Sequence, residues 1–151
     1  MSNIKKTLGV YPGSFNPFHI GHLDVLLQAK DVFDEVIVAV GLNPLKSQEN
    51  RAELPPLKDK YNVKVDYFTG LLADYLNRVS YENDCEVFLI RGLRNGEDLQ
   101  YEQNQIAFIK PMYPSLKTVF FICNREVEHV SSSAVRALKS FAGDEYKKYV
   151  V

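Results

Sequence analysis

The sequence lacks several features that mark particular classes of protein. Its 151 residues carry 18 Lys and Arg against 19 Asp and Glu, a formal net charge of −1. A partner of duplex nucleic acid needs a clear excess of positive charge, so the balance excludes that class and leaves small anions as ligands of a local basic cluster. No run of 18 apolar residues occurs, so no segment is expected to cross a membrane.

Cysteine is scarce, and no targeting segment or internal repeat is present. Cys85 and Cys123 are the two cysteines, and neither has the spacing of metal ligands. We expect both to be buried, reduced thiols beside strands. The first residues contain no apolar stretch typical of a signal peptide, so a cytoplasmic location is expected. Linkers and low-complexity segments are also missing, which favours one domain over residues 1–151.

What the sequence does contain is an alternation of strand and helix patterns. The β-branched run Glu35–Leu42 is typical of a strand buried on both faces. Alternating strands and helices predict an α/β fold with a parallel sheet between two helical layers. The predicted strands are Thr7–Tyr11, Glu35–Leu42, Val63–Phe68, Glu86–Ile90 and Lys117–Cys123. The predicted helices are Ile20–Phe33, Leu71–Val79, Asp98–Lys110 and Ser132–Phe141, with a loop or short broken helix at Asn43–Pro56.

The loop after the first strand, PGSFNPFHIGH, is rich in residues that suit phosphate. In parallel sheets ligands bind beyond the carboxyl ends of the strands, where this loop lies. Gly13 permits a positive φ or close approach to a ligand, and Ser14 supplies a hydroxyl. His19 and His22 flank the predicted helix start, where backbone N–H groups and the helix dipole favour an anion. The alternative is a structural turn whose histidines cap polar groups.

Further strand-end loops add cations and hydroxyls. Lys46 follows the second strand, and Arg91 and Arg94 follow the fourth. Arginine at the end of a buried strand is costly unless it has an anionic partner. That partner is either a ligand phosphate or one of three nearby carboxylates, namely Glu97, Asp98 and Glu102.

The loop before the last helix carries three serines in a row. At a helix N-terminus their hydroxyls and backbone N–H groups form a phosphate cradle, with Arg136 one turn further on. The alternative is a redundant N-cap, for which one serine suffices. The chain shows no nucleophile with a partnering base. The collected residues therefore suit the stabilisation of charge on a polyphosphate, with little covalent work for the protein.

Three segments together, PGSFNPFHIGH, RGLRNGEDLQYE and VSSSAVR, resemble the phosphopantetheine adenylyltransferases of the HxGH/TxGH nucleotidyltransferase superfamily. The resemblance implies a Rossmann-like three-layer α/β/α domain with a five-stranded parallel sheet. It implies transfer of AMP from ATP to 4′-phosphopantetheine, giving dephospho-CoA and pyrophosphate. It also implies Mg²⁺ carried on the ATP phosphates, CoA as an inhibitor, and a homo-oligomer, since known members are often hexamers.

The same resemblance assigns roles to individual residues. It implies that His22 stabilises charge on the α-phosphate and that the catalytic set is His22, Lys46 and Arg91. The implied nucleotide-binding residues are Ser14, Phe15, His19, His22, Arg94, Glu102, Ser131, Ser132 and Ser133. The implied acceptor-binding residues are Ser14, Lys46, Leu71, Leu72 and Arg91, and no residue is implied to bind a metal.

The sequence departs from the family pattern at several positions. Asn16 replaces a usual aspartate and His19 a usual threonine, so FNPFHIGH is closer to nicotinate mononucleotide adenylyltransferases. The segment 124–130 lacks the aromatic residue expected near adenine. The alternatives are therefore a nicotinate mononucleotide adenylyltransferase, a CTP-dependent cytidylyltransferase, or a non-catalytic module that binds a nucleotide or CoA. A class I aminoacyl-tRNA synthetase is excluded by the chain length and by the missing Lys-Met-Ser-Lys-Ser motif.

Overall fold

The computed structural model describes residues 4–43 and 52–151. Its parallel five-stranded sheet has the strand order β3-β2-β1-β4-β5, which confirms the predicted fold class. The strands are β1 (Lys6–Gly13), β2 (Glu35–Leu42), β3 (Lys64–Thr69), β4 (Cys85–Leu93) and β5 (Thr118–Ile122). The helices are α1 (Ile20–Val32), α2 (Leu57–Tyr61), α3 (Leu72–Glu82), α4 (Gly96–Ile109) and α5 (Ser132–Phe141), followed by a 3₁₀ helix at Glu145–Lys148.

Two hydrophobic cores lie on opposite faces of the sheet. Strand β2 contributes to both, because successive side chains of a strand point to opposite faces. Val36 and Val38 pack in the core that includes α1, whereas Ile37 and Ala39 pack in the core that includes α3. The continuous β-branched run of β2 is thus buried on both sides, as its sequence predicts.

The helical spacing of Leu23, Leu26 and Leu27 predicts that these three residues of α1 share one apolar face. Leu26 is buried and Leu23 partly buried, but Leu27 is 42% exposed, so its predicted place in the buried face is wrong. Val25 is buried instead, against β4. A Cβ on Gly92 of β4 would lie 2.7 Å from Val25 Cγ2, so the glycine is what allows this close approach.

Strand β1 continues through the proline at which the sequence predicts its end. Pro12 and Gly13 are in register with Ala39 and Val40 of β2. Pairing of β1 with β4 stops at Val10, so Pro12 has a neighbouring strand on only one side. Proline is tolerated at such edge-like positions, because no ladder hydrogen bond is lost there.

Strand β4 also runs past its predicted end. The sequence predicts a loop from Gly92, but β4 extends to Leu93 and Gly92 pairs with Phe121 of β5. The loop that follows is short, because Asn95 already caps α4 by accepting a hydrogen bond from the Asp98 backbone at 3.0 Å. Arg91 therefore lies inside a paired strand, where its position is fixed more firmly than a loop would allow.

The proline pair at 55–56 begins a helix that the sequence pattern does not predict. Pro56 is the N-cap of α2, in keeping with the preference of proline for helix starts. The nearby residue Glu53 exchanges backbone hydrogen bonds with Phe15 and Phe18 at 3.0 and 2.9 Å. This contact supports the loop between β1 and α1 from outside the sheet.

Candidate active site

A crevice of about 400 Å³ opens at the carboxyl ends of β1, β4 and β5, where the topology predicts a ligand site. This volume is in the range of small-molecule sites. One side is formed by Gly13–His22, which we call the histidine wall, and another by Arg91–Glu102, which we call the arginine wall. Eight of the predicted site residues line it: Ser14, Phe15, His19, His22, Arg91, Arg94, Glu102 and Ser132.

His19 is the N-cap of α1 and uses its side chain for that purpose. Its Nδ1 accepts hydrogen bonds from the backbone N–H groups of Gly21 and His22, at 3.1 and 3.3 Å. The N–H of Ile20 donates to the Tyr149 carbonyl at 2.9 Å. The first N–H groups of α1 are therefore already bonded within the protein, as the alternative of a structural turn capped by the histidines predicts.

The glycine between the two histidines makes this cap possible. A Cβ on Gly21 would lie 2.9 Å from Cε1 and 3.0 Å from Nδ1 of His19. A larger residue at position 21 would push the His19 imidazole away from the two backbone N–H groups that donate to its Nδ1. The spacing of the HIGH tetrapeptide thus follows from the packing of one ring over the first helical turn.

His22 closes the other half of the cap. Its Nδ1 accepts a hydrogen bond from the backbone N–H of His19 at 3.0 Å, and the two imidazoles stack with centroids 3.6 Å apart. Because Nδ1 is an acceptor, the hydrogen of the neutral ring is on Nε2. The backbone therefore selects the tautomer of His22 in which Nε2 is a hydrogen-bond donor.

Both histidines are neutral near pH 7. Burial, with a contribution from the charge of Arg94, lowers the pKa of His19 from 6.5 to about 4. Burial is also the main reason that the pKa of His22 is well below 6.5, and His19 and the two arginines of the crevice lower it further. The histidine wall therefore presents N–H donors without positive charge.

Gly13 and Phe15 both have structural roles in the loop after β1. A Cβ on Gly13 would lie 2.9 Å from the Phe15 ring, so the glycine makes room for a protein side chain and not for a ligand. The positive φ falls on Phe15, at 47°. The Phe15 ring is buried and meets the His22 imidazole edge-on, with centroids 5.0 Å apart. The Phe15 ring thus fixes the position of the His22 imidazole by packing against it.

Arg91 is paired with a carboxylate inside the arginine wall. Its Nε and Nη2 donate to the two oxygens of Glu102, each at 2.7 Å, and its Nη1 donates to the Pro12 carbonyl at 3.3 Å. Glu102 is only 7% exposed, so the charge of Arg91 compensates a buried carboxylate. Of the alternatives weighed for this arginine, the salt bridge to Glu102 is present, and it still leaves two guanidinium N–H groups for a ligand.

Arg94 is paired in the same manner but nearer the surface. Its Nε and Nη2 donate to Asp98 at 3.0 and 3.2 Å, and its backbone N–H donates to the same carboxylate at 2.8 Å. Partial burial alone would raise the pKa of Asp98, but the hydrogen bonds from Arg94 outweigh it and lower that pKa. Arg91 and Arg94, which both line the crevice, are therefore each paired with a carboxylate.

The three serines divide between capping and the crevice. Ser131 is the N-cap of α5 and accepts from the Ala134 backbone at 3.1 Å, while Ser133 is within 3.3 Å of the Ser131 hydroxyl. Ser132 lines the crevice and donates to the Pro17 carbonyl at 3.2 Å. One serine of the predicted cradle thus reaches the crevice, and its hydroxyl is already bonded to the loop after β1.

One predicted cation is not part of the crevice lining, and another cannot be placed because it lies outside the described residues. Arg136 does not line it: the side chain donates to the Asn16 carbonyl at 2.6 Å, so its predicted place among the phosphate ligands is wrong. It supports the histidine wall from behind. Lys46 lies outside the described residues.

A second cavity of about 300 Å³ adjoins the crevice. The two share Arg91, Tyr101 and Glu102, so the arginine wall separates them. The second cavity is lined mainly by apolar side chains of α3 and α4, including the predicted Leu71 and Leu72. The site thus combines a polar compartment with an apolar one.

Several lining residues are absent from the sequence-based prediction. Tyr11 is buried at the end of β1, and burial raises the pKa of its hydroxyl above the usual 10. Tyr101, Cys123 and Val127 also line the crevice. Tyr11 lies just before the end of β1, and Cys123 lies just beyond the end of β5. These positions at strand ends were the signal by which the sequence could have indicated both residues. Both cysteines are free thiols, but each is only partly buried, so the predicted burial is wrong.

Two kinds of feature are missing among residues 4–43 and 52–151. No group of three or more histidine, cysteine or acidic side chains is arranged to hold a metal ion there. In the same part of the chain, no helix has both the length and the apolar character needed to cross a membrane.

Comparison with known proteins identifies the family. A family model described as cytidylyltransferase-like matches residues 10–138. The phosphopantetheine adenylyltransferase of Dictyoglomus thermophilum is 40% identical over 140 residues, covering 89% of this chain and 82% of the relative. That of Dictyoglomus turgidum is 41% identical over 140 residues, covering 89% and 84%. The chain therefore belongs to the cytidylyltransferase-like family and, within it, to the phosphopantetheine adenylyltransferases.

A solved structure supports the fold independently. The bifunctional NMN adenylyltransferase/ADP ribose pyrophosphatase of Francisella tularensis superposes with a TM-score of 0.61 at 19% identity. The match covers 96% of this chain and 44% of that protein. At this identity the likeness concerns the fold alone, and it agrees with the Rossmann-like arrangement found here.

Proposed function

We propose that the chain transfers AMP from ATP to 4′-phosphopantetheine and releases dephospho-CoA and pyrophosphate. The observation that carries the proposal is the neutral His22, whose Nε2–H donor lies in a crevice beside two arginines. The adjoining apolar cavity suits the long, weakly polar arm of this acceptor. The relatives described as phosphopantetheine adenylyltransferases support this choice of substrate.

In the proposed reaction an oxygen of the acceptor phosphate attacks the α-phosphorus of ATP. A new P–O bond forms as the bond between the α-phosphorus and the bridging oxygen breaks, and that oxygen leaves with pyrophosphate. His22 donates its Nε2–H to the α-phosphate oxygens, on which charge accumulates. A donor held in place by the backbone needs no reorganisation, which is why such groups are effective in transition states.

The remaining predicted residues take binding roles in this proposal. Arg91 donates its two remaining guanidinium N–H groups to a substrate phosphate at the arginine wall, which separates the two cavities. Leu71 and Leu72 contact the pantetheine arm in the apolar cavity. The nucleotide contacts Ser14, Phe15, His19, Arg94, Glu102 and the serines 131–133. Of these three serines, Ser132 lines the crevice. Lys46 acts together with His22 and Arg91 in catalysis.

Mg²⁺ enters the proposal as a companion of ATP. Asp98 and Glu102, which line the crevice, are each paired with an arginine, and the described residues offer no carboxylate set that fits a resident ion. Mg²⁺ commonly binds nucleotide phosphates with few protein ligands. The chain itself supplies the hydrogen-bond donors, and the ion neutralises part of the phosphate charge.

The proposal is tested by measuring pyrophosphate release with ATP or CTP against a panel of phosphorylated acceptors. We expect turnover with ATP and 4′-phosphopantetheine and at least 100-fold lower kcat/KM with nicotinate mononucleotide. Activity with nicotinate mononucleotide and none with 4′-phosphopantetheine would overturn the acceptor. A preference for CTP would overturn the nucleotide. Binding of ATP or CoA without turnover would instead favour a non-catalytic module.

Assembly, location and regulation follow from the resemblance to the family. We propose a cytoplasmic, single-domain protein that forms a homo-oligomer, a hexamer by analogy, and is inhibited by CoA. Light scattering coupled to gel filtration measures the oligomeric state. Adding CoA to the pyrophosphate assay measures the inhibition.

A further inference from the structure

Asp24 lies on α1, two residues beyond His22, and binds Asn124, which lies two residues beyond the end of β5. One carboxylate oxygen accepts the backbone N–H of Asn124 at 2.9 Å, and the other accepts the Asn124 side-chain amide. Asn124 therefore donates twice to one acidic group from a hundred residues along the chain. Hydrogen bonds to a charged acceptor are about twice as strong as neutral ones.

Gln28, one turn further along α1, extends the same contact. Its amide donates to Asp24 at 3.2 Å and to the carbonyl of Ile122, the last residue of β5, at 3.1 Å. Asp24 and Gln28 together hold the end of β5 and the start of the next loop against α1. This contact touches no lining residue directly.

The contact joins two sides of the crevice. The first residues of α1 belong to the histidine wall. The loop that starts at Asn124 contains Val127 and leads to Ser132, and both of these residues line the crevice. A Cβ on Gly21 would lie 3.8 Å from the Val127 carbonyl, so the loop lies against the first turn of α1. The separation of these two sides depends on what ties the loop to the helix.

We propose that Asp24 is a positioning residue for the nucleotide, acting through Asn124 on the loop opposite the histidine wall. The inference rests on the proposed function, because it assumes that the nucleotide lies between α1 and this loop. The apolar cavity is built from α3 and α4 and does not involve Asn124. Loss of the contact therefore weakens nucleotide binding and leaves acceptor binding unaffected. General destabilisation of the fold would not produce this difference between the two substrates.

The first test compares Asp24→Ala with Asp31→Asn, an exposed acid further along α1. For Asp24→Ala we expect the KM and the calorimetric Kd of ATP to rise about 10-fold, as for loss of a charged hydrogen bond. The KM of the acceptor stays within twofold. Asp31→Asn leaves both constants within twofold. An unchanged ATP affinity in Asp24→Ala overturns the inference.

The second test reverses the pair. In Asn124→Asp a second carboxylate faces Asp24, so two acceptors of like charge meet, rotation of neither side chain relieves the mismatch, and ATP affinity falls. Combining it with Asp24→Asn restores a donor–acceptor match, because the amide at position 24 accepts the backbone N–H of residue 124 and donates to the new carboxylate. We expect the double variant to recover most of the ATP affinity. A double variant no better than Asn124→Asp contradicts the inference, since a carboxylate needed at position 24 for another reason is not rescued.

The two proposals fail in different ways. A wild-type chain that neither binds ATP nor releases pyrophosphate contradicts the proposed function and this inference together. An active wild-type chain whose Asp24→Ala variant folds and binds ATP normally contradicts the inference alone. If Asp24→Ala does not fold, the reversed pair carries the decision, because both of its groups keep the original size.

Discussion

The histidine wall and the arginine wall reach the same crevice with opposite kinds of polar group. His19 and His22 are neutral N–H donors, each fixed by hydrogen bonds to the backbone of α1. Arg91 and Arg94 carry permanent charge, but each is already paired with a carboxylate. A phosphate therefore meets fixed, uncharged donors on one side and charged, partly committed donors on the other.

The difference separates two tasks in the proposed reaction. Neutral donors bind a ground-state phosphate weakly and respond most where charge accumulates, so the histidine wall suits the transition state. Charged donors attract the substrate from the start, and their carboxylate partners fix their direction. Variants of the two walls test this division of labour, from the largest expected effect to the smallest.

His22→Ala removes the fixed donor of the histidine wall. We expect kcat to fall by a factor on the order of 10²–10³ while the Kd of ATP changes little, as when one preorganised transition-state donor is lost. Single-turnover kinetics and calorimetric titration measure the two quantities. A loss of ATP affinity as large as the loss of kcat would show that His22 binds the ground state, and the contrast between the walls would then disappear.

Arg91→Ala removes the charge of the arginine wall and leaves Glu102 buried without its partner. We expect the KM of a phosphate substrate to rise about 10–100-fold, with a smaller change in kcat. The free energy of unfolding falls by about 2–4 kcal/mol, because a buried carboxylate loses its counter-charge. In the double variant with Glu102→Gln, urea denaturation should show part of that stability restored. Unchanged KM values for both substrates would mean that the ion pair is only structural.

His19→Thr changes the pH dependence of stability. The pKa of His19 is lowered to about 4 in the folded protein, so the unfolded chain takes up its proton first as the pH falls below 6.5. His19 therefore costs no stability above pH 6.5 and costs progressively more from pH 6.5 down to about 4. Threonine also caps helices but does not titrate. Urea denaturation at about pH 7.5, 5.5 and 4.5, which brackets this window, should show a smaller loss in the variant, and equal losses would contradict the assignment.

Arg94→Ala gives the smallest effect on stability. The side chain of Arg94 is 39% exposed and precedes the N-cap of α4, and ion pairs of exposed side chains contribute only about 0.2–1 kcal/mol. Arg78→Ala, which removes an exposed ion pair with Asp66, is the matched control away from the crevice. Both variants should unfold within about 1 kcal/mol of wild type, whereas only Arg94→Ala should raise the KM of ATP. Equal kinetics in the two variants would remove Arg94 from the nucleotide site.

The fold and the place of the site were predictable because they depend on local patterns. Apolar runs such as Glu35–Leu42 mark strands, and the topology of a parallel sheet brings their carboxyl ends together. The polar loops at those ends then locate the crevice before any contact is known. The boundaries were less accurate at Pro12 and Gly92, because neighbouring strands decide whether such residues stay paired.

The partners within the site were not predictable, because they join distant parts of the chain without any periodic signal. Arg91 had three candidate carboxylates by sequence, and only the turn of α4 decides for Glu102. The contact between Asp24 and Asn124 leaves no trace in the spacing of residues. Gly13 shows a related limit, since sequence reveals that a side chain is absent but not what fills the space.

The strand order also has a consequence for the time at which the site forms during synthesis. The central strand β1 pairs with β4, so Lys6 meets Cys85 only after more than half of the chain exists. The carbonyl that caps the N–H of Ile20 belongs to Tyr149, near the other end of the sequence. Contacts of such long sequence separation slow folding. During synthesis the chain therefore carries its histidines early but completes the cap of α1 only after Tyr149 has emerged.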